Sequence, residues 1–440
     1  MIGLNIPFLL LSLFFIPKIF GNDGALPNIN KYEYSKIIDV PDLSFVGTVF
    51  SGLDILEQMD FKPLRNKTIA ILTNQSAVNR NNQHLLDILT RYPDIKVKYL
   101  LSMEHGIWST NDKRSKMVGR DGLSPLHKAQ IIDLFKTYLN PPSWVMRDID
   151  LVLVDYQDTG SRYTTYTTTL SKVFESASDF EIPVFILDRP NPIRGDLISG
   201  PIPRSEFQSF ESYHLFPIRH GLTIGEMSLI INEMGWVKDL KRIQLNIIPM
   251  ANWKREMWFE DTQLPWKNLT PHLETPSSLL AYSGMDLFRG TNLNIGFGTG
   301  APYMVVGSPW LSTSYLLRKL KEQNLPGVTF KEVEYRPLGS TYYKRTPKFD
   351  NLKCSGIELV IRDQNIFMPI ETATSILILI DQLFPRQFQW EENNYIDKLF
   401  GSNELRISAA QKKDPNHLPA LWSKEVYKFN EFRQAFLIYK

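Results

Sequence analysis

Four short apolar runs set the strongest limit on how this chain folds. Thr68–Thr73, Val97–Leu101, Leu151–Val154 and Val184–Leu187 are continuous apolar stretches of strand length. Between them, apolar residues recur at helical spacing: Leu85, Leu86, Ile88 and Leu89, then Ile131, Ile132, Phe135 and Leu139 up to Pro141-Pro142, then Leu170, Val173, Phe174 and Ala177. Strands apolar on both sides and separated by helices predict a parallel sheet covered on both faces. The expected fold is α/β, a Rossmann-like parallel-sheet N-terminal domain over 46–238 with a smaller α/β C-terminal domain over 239–440. Thr223–Met234 reads as a helix, with Thr223 as N-cap and Glu226 at capping-box spacing. In the second half, Ile357–Ile361 reads as a strand, Ala373–Phe384 as a helix, and Gly284 to Gly307 as ordered loops. Residues 22–45 read as a polar leader lying on the surface.

Composition narrows the class. The 440 residues carry a formal charge of +2 with no concentrated basic block, which argues against a duplex nucleic-acid partner. Ile6–Ile16 is apolar except for Pro7 and Ser12. Eleven residues at ~1.5 Å rise reach about 16 Å, roughly half a bilayer core. The run therefore reads as the apolar region of a signal peptide over 1–21, with the mature chain starting near Asn22 and secreted or periplasmic. An uncleaved anchor extending through Phe20 is the rival, and no other run is long and apolar enough to span. The single cysteine, Cys354, excludes an internal disulfide. Sequons at Asn66, Asn74 and Asn268 matter only in a eukaryotic secretory pathway.

Ligands of open α/β sheets bind beyond the carboxyl ends of the strands, and here all four ends are polar. The first ends in Asn74 and Gln75, the second in Glu104 and His105, and the third in Asp155, Gln157 and Asp158, with Arg162, Tyr163 and Tyr166 close behind. The fourth ends in Asp188, Arg189 and Asn191. Any one such residue can simply cap a helix or seed a turn; their convergence points to a site. Glu104 follows an apolar strand directly, where a carboxyl suits general acid catalysis, and His105 can orient it or touch substrate. Arg219-His220-Gly221 precedes a helix start, where backbone N–H groups and a guanidinium favour an anion such as a substrate carboxylate. A buried ion pair between domains is the structural alternative.

Several signatures are missing. The turn Thr73–Asn79 lacks glycine, so a dinucleotide fingerprint fails, and there is no P-loop, His-Glu-x-x-His pair or Gly-x-Ser-x-Gly elbow. No metal site and no cofactor is implied. A carboxylate-driven hydrolase remains, with 9 Trp and 18 Tyr available to stack on sugar rings.

Ordered along the chain are Ser102-Met103-Glu104-His105-Gly106, Asp155 to Tyr163, Asp188-Arg189-Pro190-Asn191-Pro192, Pro217 to Glu226, Leu264-Pro265-Trp266, and Phe288-Arg289-Gly290-Thr291-Asn292-Leu293. Together, across roughly 50–440, the chain resembles the NamZ-type exo-β-N-acetylmuramidases, glycoside hydrolase family 171. The resemblance implies release of terminal N-acetylmuramic acid from the non-reducing end of peptidoglycan fragments during cell-wall recycling. It also implies a Rossmann-like catalytic domain with a smaller C-terminal domain over the cleft. The family's motif glutamate falls on Glu104 and its histidine on His105, with Asp158 as a further catalytic residue. Asn74, Gln75, Asp155, Gln157, Arg162, Tyr163, Tyr166, Asp188, Arg189, Asn191, Arg219, His220 and Asn292 are then expected to bind substrate. Of these, Arg219 or His220, helped by Arg162 or Arg189, is expected to take the lactyl carboxylate. This chain has Met103 where the family usually has proline, and Lys267 to Thr275 departs from the family's Pro- and Asn-rich pattern. A non-catalytic binder of cell-wall saccharides on the same scaffold is the alternative from another class. Glu104 kept with Asp158 and His220 favours the enzyme.

Overall fold

The computed structural model describes residues 32–40, 47–108, 124, 127–339 and 346–440. The expected signal peptide lies outside them. Seven parallel strands form the main sheet: β1 (Ser35–Ile37), β2 (Thr68–Thr73), β3 (Lys96–Ser102), β4 (Gln130–Asp133), β5 (Leu151–Asp155), β6 (Val184–Leu187) and β7 (Leu245–Ile248). Their order is β1-β7-β6-β5-β2-β3-β4. Side chains alternate across it. Ile69, Ile71, Leu100, Leu151 and Leu153 pack on one side with α1 (Gly52–Gln58) and α2 (Leu85–Leu89). Ala70, Leu72, Leu101, Val152 and Val154 pack on the other with α3 (Ser143–Met146), α4 (Tyr166–Asp179) and α5 (Ile224–Glu233). Double-sided burial explains why these strands read as unbroken apolar runs.

Strand order grows outward from β2 through β3 to β4, and from β5 through β6 and β7 to β1. The reversal between the paired strands β2 and β5 is a topological switch point, where the loops after adjacent strands leave to opposite faces and open a crevice.

The helix expected at Ile131–Leu139 is instead the edge strand β4 followed by turns. Ile132 is buried, but Leu139 is 52% exposed, so the apparent spacing is not one buried face. Four apolar residues are too few to separate the two periods. Within the expected surface leader, Ser35–Ile37 adds β1 beside β7. The expected division after residue 238 falls before β7, which sits inside the main sheet.

The second half builds an antiparallel sheet, β8 (Val305–Ser308), β9 (Val328–Tyr335) and β10 (Cys354–Ile361), in the order β8-β10-β9. It shares a core with α6 (Pro276–Met285), α7 (Thr313–Glu322) and the fully apolar flank of α8 (Pro369–Leu383). The glycine-rich stretch Gly284 to Gly307 thus holds the end of α6 and most of β8 as well as loops. After α9 (Tyr395–Phe400) and α10 (Glu404–Ala410), α11 (Leu418–Arg433) returns to the first half. Phe429, Phe432 and Phe436 join the core beside α4 and α5. Among the described residues no helix is long and apolar enough to cross a membrane.

Candidate active site

The switch point gathers the expected strand-end residues, in two distinct roles. Asn74 follows β2 and is buried. Its Oδ1 accepts from Ser76 N at 3.0 Å, and Ser76 Oγ in turn accepts from Gln157 N at 2.8 Å. The two loops are thereby stitched across the reversal. Gln157 Nε2 donates to the carbonyls of Asp158 and Pro190. Gln75 Nε2 donates to the carbonyls of Asn268 and Leu269 at 2.8 and 3.2 Å, and Leu269 O also accepts from Tyr166 Oη at 3.0 Å. The segment 266–269 is therefore tied down directly over the strand ends.

Glu104 stands half-buried after β3. Its Oε2 accepts from Thr165 Oγ1 at 2.9 Å, so the residue that begins α4 orients the carboxylate. His105 is exposed and meets the Tyr166 ring edge-on, centroids 6.5 Å apart. Asp158 is buried. Its Oδ2 accepts from Gly160 N at 2.7 Å and lies 3.3 Å from His220 Nε2. His220 Nδ1 accepts from Leu222 N at 3.1 Å, which assigns the ring proton to Nε2, facing Asp158. Gly160 is required here: its φ is +78°, and a Cβ would fall 2.6 Å from Asn191 Oδ1.

Other expected binding residues already have partners within the fold. Arg189 grips buried Asp155 with two bonds, 2.6 and 3.0 Å, and caps Val78 O. Burial pushes the Asp155 carboxyl above its usual range, against the pull of Arg189. Arg162 spreads its guanidinium over the carbonyls of Pro201, Phe216, Leu399 and Phe400, and over Ser212 Oγ. Desolvation without a carboxylate partner lowers its pKa to about 10. Arg219 donates to Ile193 O and lies over the Trp258 ring, and its pKa is likewise lowered to about 10 by burial. The carboxyl at the start of α5 is that of Asp188 itself, which accepts from Thr223 Oγ1, Gly225 N and Tyr439 Oη. Burial raises its carboxyl to about 7. Asn191 holds Leu222 O, and Asn292 holds the backbone of Gln387 and Gln389. Tyr163 is buried edge-on against Tyr282.

One wall of the site was missed as such. Ser76, Val78, Gln157 and Arg189 line a narrow cleft together with Phe259, Leu264, Pro265, Trp266 and Lys267. Phe259 braces Trp266 edge-on at 4.9 Å. The signal for this wall was the Leu264-Pro265-Trp266 motif, which lies beyond the strands that drew attention to the site.

The comparisons agree with this architecture. Residues 69–277 match the family model described as exo-β-N-acetylmuramidase NamZ, N-terminal, and residues 280–439 match its C-terminal counterpart. The peptidoglycan β-N-acetylmuramidase NamZ of Bacillus subtilis (strain 168) is 30% identical over 394 residues, covering 89% of this chain and 91% of that protein. A crystal structure of a DUF1343 family protein from Bacteroides fragilis superposes with a TM-score of 0.81 at 26% identity, covering 90% of this chain and all of that one. A second from the same organism gives 0.73 at 26% identity, over 89% and 99% of the two chains. The chain belongs to the exo-β-N-acetylmuramidase NamZ family of glycosidases.

Proposed function

We propose that this glycoside hydrolase releases terminal N-acetylmuramic acid from the non-reducing end of peptidoglycan fragments, with Glu104 as its acid/base. The observation that carries the reading is the Glu104 carboxylate at a strand end beside the switch point, oriented by Thr165 Oγ1. Glycoside hydrolysis needs a positioned carboxyl to protonate the leaving oxygen, and a second negative group to balance the oxocarbenium-like charge. Asp158, held by Gly160 N and His220 Nε2, supplies that second charge from the end of β5, which β2 separates from the β3 end that carries Glu104. His105, exposed beside Tyr166, contacts the sugar at the mouth. The apolar run Ile6–Ile16 supports export to where peptidoglycan lies.

The test is incubation with a chromogenic N-acetylmuramide and the matching N-acetylglucosaminide, using the wild type and Glu104→Gln. Turnover of the muramide alone, lost in the variant, is the expected result. Saccharide binding without turnover would move the protein to the class of binders.

A further inference from the structure

We propose that Lys267, beside Trp266 on the wall of the switch-point cleft, binds the carboxylate of an acidic sugar and is the residue by which this enzyme reads it. The inference rests on the proposed glycosidase reading and adds a specificity residue to it. Two cations near the site are already committed, Arg189 to Asp155 and Arg162 to four main-chain carbonyls, and a third, Arg219, is buried over the Trp258 ring with Nη2 on Ile193 O and only its Nε left without a partner among the described residues. Lys267 lines the cleft, is half-buried, and forms no ion pair among the described residues. Its backbone is well placed for recognition. Trp266 Nε1 anchors on Glu274 O at 2.8 Å, and Leu269 O is gripped by Tyr166 and Gln75. Lys267 thus follows Trp266 on a loop tied down at both ends, and both line the same cleft. A sugar ring can stack on Trp266 while a carboxylate substituent meets the ammonium, a charge-assisted contact of the stronger class. A neutral analogue would leave that cation unpaired in the cleft.

The experiment compares a chromogenic N-acetylmuramide bearing the free lactyl carboxylate with its neutral lactyl carboxamide. The wild type should prefer the acid in kcat/KM by about 10- to 100-fold, the range of a hydrogen bond to a charged group. Lys267→Met should bring the ratio close to one with an unchanged melting temperature, and Lys267→Arg should keep most of it. A wild type indifferent to the carboxylate, or a Lys267→Met that loses both substrates equally or keeps the full preference, would overturn the assignment. Calorimetric binding of free N-acetylmuramic acid separates this from the parent reading. Should the wild type turn over neither substrate, weaker binding to Lys267→Met still supports the lysine's role, and unchanged binding rejects it.

Discussion

Thr165 Oγ1 donates to Glu104 Oε2 at 2.9 Å, joining the residue that opens α4 to the carboxylate at the end of β3. The bond makes Thr165 a positioning residue. Thr165→Val keeps the shape and deletes the donor. It should lower kcat by several-fold to about tenfold, the scale of one lost hydrogen bond, and leave KM nearly unchanged. Thr165→Ser should restore most of the rate. An effect confined to melting temperature would reduce the hydroxyl to a packing role.

Asp188 makes stability depend on pH in a stated direction. Its folded carboxyl titrates at about 7, chiefly because it is buried, above the ordinary carboxylate value. Between the two values the folded state holds a proton that the unfolded state has released. The stability this group contributes is therefore fully present below pH 4 and is lost as pH rises through 7. Buried His214, lowered to about 3 by desolvation, works in the opposite sense and adds stability as pH rises toward 6.5. The contribution of Asp188 is isolated by comparison with Asp188→Asn: the urea-midpoint advantage of the wild type should shrink steadily from pH 5 to 8. A difference independent of pH would contradict the account.

Arg162 should behave as a strut between the two halves, because its donors end on carbonyls from Pro201 to Phe400. Arg162→Met leaves those buried acceptors unsatisfied and should cost at least about 2 kcal/mol in denaturant unfolding. The folded fraction should keep its preference for the acidic over the neutral sugar. Loss of that preference at full stability would return Arg162 to substrate binding.

Much of the fold was legible because its signals are local. Thr68–Thr73 and Val184–Leu187 coincide with β2 and β6, and the Thr223–Glu226 capping box opens α5. The edges were not legible: β1 (Ser-Lys-Ile) and β4 (Gln-Ile-Ile-Asp) are short and mixed with polar residues, so neither forms the unbroken apolar run that marked β6. At the site, the strand ends named loops that meet at the switch point, but not the direction each polar side chain takes. That direction is set by partners remote in sequence, such as Tyr439 for Asp188 and Leu399 for Arg162. The wall carrying Trp266 and Lys267 also comes from distant chain, and only folding brings it over Gln157.

The most direct test of the central claim is the turnover of a chromogenic N-acetylmuramide by Glu104→Gln, which keeps the side chain's shape and removes its ionisable proton. The account predicts a loss in kcat of at least ~10²-fold, the usual scale of general acid catalysis, with the melting temperature of the wild type. A folded Glu104→Gln protein turning over the muramide at near wild-type rate would contradict it.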